Sequence, residues 1–133
     1  MTTSKEEIDV AIDELEWGHP ETRKKAAIRL GRIREERVIP ALLKAIKKDE
    51  YSWTRISAIQ SLLWIADPEI IDPLIEVVKN DPDNLVRKTA IEALGSLKNS
   101  KAEAILEQII VNDSDNGVVT TASVALQVIR SNG

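Results

Sequence analysis

The sequence predicts an all-α solenoid, a right-handed stack of about three two-helix repeats with a single helix at each end. The main observation is a pattern of Arg, Ala, Leu and a further aliphatic residue that recurs every 32 residues. A second apolar run follows each copy, and no segment alternates with the period of two expected for strands. Fixed periods of this length are typical of repeat proteins, in which each repeat covers its neighbour's apolar face.

The repeated pattern occurs in full three times, and a fourth copy lacks the arginine. The copies are Arg23-Ala26-Leu30-Ile33, Arg55-Ala58-Leu62-Ile65, Arg87-Ala90-Leu94-Leu97 and Val119-Ala122-Leu126-Ile129. The Ala and Leu positions have helical spacing, so they predict the inward stripe of the first helix in each repeat. The polar residues Ser52, Asn84 and Asn116 share one register position and are predicted to cap these helices.

These positions predict one domain, 1–133, made of a capping helix, three repeats and a half repeat. The predicted bounds are 1–18 for the N-terminal capping helix, 20–50, 52–82 and 84–114 for the repeats, and 116–131 for the C-terminal half repeat. Second helices are expected near 36–48, 68–80 and 100–112. The outer face of the capping helix carries acids, as a terminal unit needs because no neighbour covers it.

Composition narrows the classes of protein that fit. With 133 residues, 43% of them hydrophobic, the chain can bury one continuous core. No apolar stretch is long enough to span a membrane, and the acidic N-terminus lacks the apolar core of a secretory signal. We therefore expect a cytoplasmic protein that does not bind membranes.

Charge is distributed unevenly along the chain. The net charge is −4, and nucleic acid is not an expected partner because affinity for phosphates requires clustered cations. Residues 20–48 nevertheless hold ten bases and three acids, between two acidic blocks. Three interpretations stay open for this basic block. Arg37 and Lys44 are neutralised by Glu69 and Glu76 of the next repeat, the block binds an acidic protein, or it binds nucleic acid.

A resemblance to a known family follows from two segments. The spaced residues Asp49, Trp53, Arg55, Ala58 and Leu62 resemble the first helix of the HEAT-like repeat of the phycobilisome-lyase type, and segment 37–43 resembles its second helix. The likeness covers nearly the whole chain and implies the solenoid fold. The family includes bilin lyase subunits and phycobilisome degradation factors alongside protein-interaction scaffolds, so the resemblance implies one of these roles.

Arginine and aspartate recur together at a fixed spacing. Arg55 and Arg87 each lie six residues after an aspartate, Asp49 and Asp81. We interpret these four residues as a structural ladder in which the acid that ends one repeat holds the arginine that opens the next. The alternative is that the two arginines bind an anion.

Two surfaces are candidates for binding a partner. The first, which we call the ridge, is a polar stripe along the second helices, and its predicted contact residues are Arg37, Lys44, Lys48, Glu69, Glu76, Gln108 and Asn112. The second is an apolar patch formed by Ile56, Leu63 and Trp64. The patch is predicted because equivalent positions in other repeats are mostly polar or small, although Trp64 packed over a neighbouring helix is the alternative.

The C-terminal half repeat has no second helix to cover its valines. Either it docks as a modified cap, or its bare edge contacts a partner or a second copy of the chain. A homodimer through this edge or through the Trp64 patch is therefore one alternative.

The sequence shows no catalytic motif. His19 is the only histidine and cysteine is absent, so one chain cannot build a His-based triad or a zinc site. We expect no catalytic residue, no cofactor, no metal and no enzyme activity. The predicted function is a non-enzymatic scaffold that binds another protein through the second-helix face. The alternative is a bilin-lyase-like subunit or phycobilisome-associated factor that handles a tetrapyrrole or its acceptor protein.

Overall fold

The computed structural model describes residues 4–131, which contain eight α-helices and no strand. The chain divides into two compact units, 1–67 and 68–133. The first unit holds α1 (Lys5–Trp17), α2 (Pro20–Ile33), α3 (Ile39–Lys48) and α4 (Ser52–Ile65). The second holds α5 (Ile71–Asn80), α6 (Asn84–Leu97), α7 (Glu103–Asn112) and α8 (Asn116–Arg130). The first three and last two residues of the predicted domain lie outside the described residues, and its division into repeats stays a prediction.

In the first unit, α1 packs on α2, α3 packs on α4, and α2 packs against α4. The Ala and Leu positions of the repeated pattern face inward, as their spacing predicted. Leu30, Ala58 and Leu62 are fully buried, together with Leu42 of α3. Burying such aliphatic side chains stabilises the unit by about 1.5–3 kcal/mol for each large one.

The second unit repeats this arrangement. Its helix α5 packs on α6, α7 packs on α8, and α6 packs against α8. Leu74, Ala90, Leu94 and Leu106 are fully buried, at positions 32 residues from those of the first unit. The 32-residue period therefore places equivalent side chains in equivalent packing environments.

The first helices end in the same unusual backbone conformation. Arg34, Ala66 and Lys98 have φ angles of 58°, 56° and 53°, in the left-handed region that favours glycine. Each residue stops its helix and directs the chain into a short 3₁₀ turn, at Glu36–Val38, Pro68–Ile70 or Ser100–Ala102. The second α-helices consequently begin about three residues later than the sequence predicted.

The helix caps also differ from the prediction. The residues that precede the first helices are Tyr51, Asp83 and Asp115, one position before the predicted caps. The carboxylates of Asp83 and Asp115 accept hydrogen bonds from the first amides of α6 and α8. An aspartate at this position binds the free amides of the first turn, so the neighbouring asparagine is not needed as a cap.

Glycine allows the first helices of a unit to approach closely. A Cβ atom at Gly31 would lie 2.4 Å from Cβ and Oγ of Ser61, which belongs to α4. Ser61 Oγ in turn donates a hydrogen bond to the carbonyl oxygen of Ala27, at 2.7 Å. At Gly95 of α6 a Cβ would lie 3.1 Å from Cβ of Ala125, a looser contact.

This difference predicts unequal effects of two matched substitutions. Gly31→Ala should lower the free energy of unfolding by about 1–3 kcal/mol because the added methyl overpacks the α2–α4 contact. Gly95→Ala should change it by less than about 1 kcal/mol, since the better helix propensity of alanine offsets a milder contact. Urea unfolding followed by circular dichroism measures both. Equal losses for the two variants would contradict this account of the helix packing.

Candidate functional site

A buried carboxylate joins three segments of the first unit. Arg23 Nε donates to Asp49 Oδ2 at 2.9 Å, and Arg23 Nη1 donates to the carbonyl oxygen of Gly18 at 2.8 Å. Asp49 Oδ1 accepts from the amide of Tyr51 at 3.0 Å, at the start of α4. The Arg23 and Asp49 side chains are only 13% and 6% exposed. Asp49 thus holds α2 and the beginning of α4 against the end of α3.

The second unit contains the same arrangement. Arg87 Nη2 lies 3.2 Å from Asp113 Oδ1, and Asp113 Oδ1 accepts from the amide of Asp115 at 2.9 Å. Arg87 Nη1 donates at 3.2 Å to the backbone carbonyl of Asp81. In the first unit Arg55 likewise donates to the carbonyl of Asp49, at 2.9 Å.

The predicted Asp49–Arg55 and Asp81–Arg87 contacts therefore use backbone oxygens. The carboxylates of Asp49 and Asp113 bind arginines 26 residues earlier in the chain. The reason is local geometry, because each of these carboxylates points forward to bind an amide two residues ahead. Sequence spacing identified the residues that meet but not the groups that they use.

The predicted contact residues of the ridge are all exposed. In the first unit, Arg37 pairs with Asp9 and Lys44 pairs with Glu16, so α3 is bound to acids of α1. Lys101 Nζ lies 2.8 Å from Asp72 Oδ1 in the second unit. Neutralisation therefore occurs between neighbouring second helices within each unit. The expected proximity of Arg37 and Lys44 to Glu69 and Glu76 involves both units and stays a prediction.

An open cleft of about 340 Å³ lies among α1, α2 and α3, beside the ridge. Its apolar lining comes from Ile12, Leu15, Ala41 and Ala45. Its charged lining comes from Glu16, Arg23, Lys44, Lys48, Asp49 and Glu50. Small side chains at two positions one turn apart on α3 leave this space. Such a site can bind a ligand with an apolar body and a carboxylate.

Sequence reasoning missed this cleft, although it identified two of the lining residues, Lys44 and Lys48. The available signal was the pair Ala41 and Ala45, which are small residues on the otherwise large-residue surface of α3. Lys48 is exposed and makes no ion pair with any of residues 4–131. It is therefore the cation beside the cleft that a bound anion can neutralise.

The predicted apolar patch is only partly exposed. Trp64 is 42% exposed, whereas Ile56 and Leu63 are half-buried. Trp53, predicted to pack between repeats, is 50% exposed, and Lys24 Nζ of α2 lies 5.7 Å from its ring centroid. Trp53 thus contacts the preceding repeat through a cation–π interaction.

The C-terminal helix α8 packs against both α6 and α7. Val118 and Ile129 are buried in this packing, and Arg130 lies 3.4 Å from Glu103 of α7. The docked arrangement that the sequence left open therefore describes α8. Val124 stays 55% exposed on its outer side.

Two further classes of site were searched for in residues 4–131. They contain no group of three or more His, Asp or Glu side chains placed to hold a metal ion. No helix in this part of the chain is both long and apolar enough to cross a membrane.

Comparison with known proteins gives two findings. A family model of HEAT repeats matches residues 4–63 and 53–127. The complex of CpcE and CpcF of phycocyanin lyase from Nostoc sp. PCC7120 matches at a TM-score of 0.69 and 24% identity, over 98% of this chain and 82% of that chain. No curated protein matches the sequence. The predicted all-α HEAT-like solenoid class and the resemblance to lyase-type HEAT repeats are confirmed.

One expectation is contradicted by these findings. The sequence was expected to encode a protein that is not an enzyme, whereas the matched structure is a phycocyanin lyase, which is an enzyme complex. The error arose because the sequence argument considered only the catalytic groups that a single chain supplies. The matched lyase is a complex of two proteins, which supports binding of a protein partner in this fold.

The buried and exposed ion pairs of the second unit predict different costs for the same chemical change. Asp113→Asn should lower the free energy of unfolding by about 2–3 kcal/mol, because it removes the charge that faces buried Arg87. Asp72→Asn breaks an exposed pair with Lys101, whose side chains are 60% and 69% exposed, and should cost about 0–1 kcal/mol. Urea unfolding measures both variants. A cost for Asp72→Asn as large as that for Asp113→Asn would contradict the structural role assigned to Asp113.

Proposed function

Because the chain belongs to the HEAT-repeat family, we propose that it is a lyase-type subunit that binds a partner protein and handles a tetrapyrrole or its acceptor protein. The observation that carries this proposal is the match along 98% of the chain to the structure of a phycocyanin lyase complex. That match concerns the fold, and the surface chemistry of the first unit supplies the second argument. The proposed location is the cytoplasm.

The cleft and the adjoining ridge provide the proposed binding site. A tetrapyrrole has a conjugated apolar body and carboxylate groups. Leu15 and Ala45 offer apolar contact, while Lys44 and Lys48 are placed to bind a carboxylate. An acidic side chain of an acceptor protein would use the same lysines.

The proposed work of this chain's residues is binding and orientation. Lys44 is already paired with Glu16, so an incoming carboxylate competes for it, whereas Lys48 is available. Arg23 and Asp49 bind each other at the cleft wall and hold its shape. A bound ligand would thus meet a fixed wall and one uncommitted cation, an arrangement that positions a ligand at little cost in side-chain ordering.

A spectroscopic titration tests this proposal. Purified protein added to biliverdin should shift and strengthen the absorption band of the pigment, because a defined site restricts its conformations. Lys44→Glu combined with Lys48→Glu should weaken the affinity at least fivefold, since both changes repel carboxylates. The matched control is Lys79→Glu, which changes an exposed lysine of α5 in the other unit.

The melting temperature of each variant shows whether it is folded. The double variant loses only an exposed ion pair, worth about 0–1 kcal/mol, so it should stay folded at the titration temperature. An unchanged spectrum at saturating protein, or equal affinity for the double variant and wild type, would contradict the proposed site.

A further inference from the structure

Helix α4 is apolar on two opposite sides. One side is buried in the first unit through Ala58 and Leu62. The other side carries Trp53, Ile56 and Trp64, two of which are 50% and 42% exposed. A surface helix of a globular protein normally directs a polar face to solvent, so this second apolar side requires an explanation.

The equivalent positions of α6 show what an ordinary outer face looks like in this chain. Ile56, Gln60 and Trp64 of α4 correspond, 32 residues later, to Lys88, Glu92 and Ser96 of α6. The inward positions of the two helices are alike, so packing within a unit does not require apolar residues on the outer side. The tryptophan and isoleucine of α4 are therefore a local feature of the first unit.

A set of cations borders this apolar side. Lys24, Lys25 and Arg32 lie on α2, which packs against α4. Lys24 Nζ lies 5.7 Å from the ring of Trp53, so the basic face of α2 and the apolar side of α4 are continuous. Lys25 and Arg32 are exposed, and neither makes an ion pair with any residue between 4 and 131.

We call this surface the α2–α4 face, formed by Lys24, Lys25, Arg32, Trp53, Ile56 and Trp64. It shares no residue with the cleft, which is lined by other residues of α1, α2 and α3. Three cations stand against one nearby exposed acid, Glu21, so the face is net positive in a chain whose net charge is −4.

We propose that the α2–α4 face docks a segment of a partner protein that carries apolar side chains flanked by acidic ones. Its apolar side chains would pack on Ile56 and Trp64, because large partly exposed aromatic side chains serve as interface anchors. Its carboxylates would bind Lys25 and Arg32, because cations without partners lose nothing when they pair.

A single-stranded nucleic acid also uses aromatic and basic side chains. It fits this face less well, because Lys24 already occupies the ring of Trp53 and leaves one tryptophan free for stacking. Isoleucine at the centre of the face offers no stacking surface, whereas it suits an aliphatic side chain. The inference is independent of the proposed lyase role and of the cleft.

Two synthetic peptides and one oligonucleotide test the proposal. The first peptide is an amphipathic helix with leucines every three or four residues and glutamates beside them. The second has lysines in place of the glutamates, and the oligonucleotide is a single-stranded thymidine 15-mer. Binding is measured by calorimetry and by tryptophan fluorescence. The acidic peptide should bind at least tenfold more tightly than the basic peptide and the oligonucleotide, and its affinity should fall as salt is raised.

Substitutions locate the binding to the face. Trp64→Ser introduces the residue that α6 has at this position and should weaken the acidic peptide at least fivefold, as should Arg32→Glu. The matched control is Val124→Ser, which removes an exposed apolar side chain from the outer side of α8 and should leave the affinity unchanged. Unaltered melting curves establish that the variants are folded.

Three results would overturn the proposal. They are tighter binding of the oligonucleotide than of the acidic peptide, equal affinity for Trp64→Ser and wild type, and peptide binding that disappears because wild type self-associates through Trp64. Sedimentation of wild type and Trp64→Ser at several concentrations detects the last case.

Discussion

A buried aspartate at the end of a second helix organises each unit of this protein. Its carboxylate binds an arginine of the preceding first helix and an amide at the start of the next one, as Asp49 does with Arg23 and Tyr51. A carboxylate in this position satisfies two donors that would otherwise be costly to bury. The contact therefore fixes the register in which neighbouring hairpins pack. In the first unit the same two side chains line the cleft, so fold and candidate site depend on one interaction.

The two units have the same helix packing but different surfaces. At the start of α6 and α8, Asp83 and Asp115 bind the free amides, whereas Tyr51 precedes α4 and makes no such side-chain bond. Tyr51 instead has Arg23 above its ring, at 5.4 Å. Aromatic residues replace polar ones on the outer side of α4 as well. The first unit thus gives up self-satisfying polar contacts for exposed aromatic and basic groups, which is the pattern expected of a binding region.

Much of the fold could be predicted because a repeated sequence repeats its physical requirements. The Ala and Leu positions recur at helical spacing, and all of them are buried. The prediction failed where conformation depends on several residues at once. The left-handed residues Arg34, Ala66 and Lys98 carry no glycine signal, and the group that Asp49 offers to Arg55 depends on where its side chain is already engaged.

The candidate site was harder to predict than the fold. Lys44 and Lys48 were identified from their stripe on α3, but the cleft beside them exists only because α1 and α3 pack with small residues between them. The error on enzyme activity had a similar origin, since a search for catalytic groups in one chain says little about a complex.

The measurement that tests this account most directly is a double-mutant cycle on Arg23 and Asp49. Arg23→Met, Asp49→Asn and the double variant are unfolded in urea, and the coupling energy is obtained from the four free energies. A pair this deeply buried should give a coupling of about 1.5 kcal/mol or more. A coupling below about 0.5 kcal/mol would show that the aspartate does not hold the hairpins in register, and the central claim would be wrong.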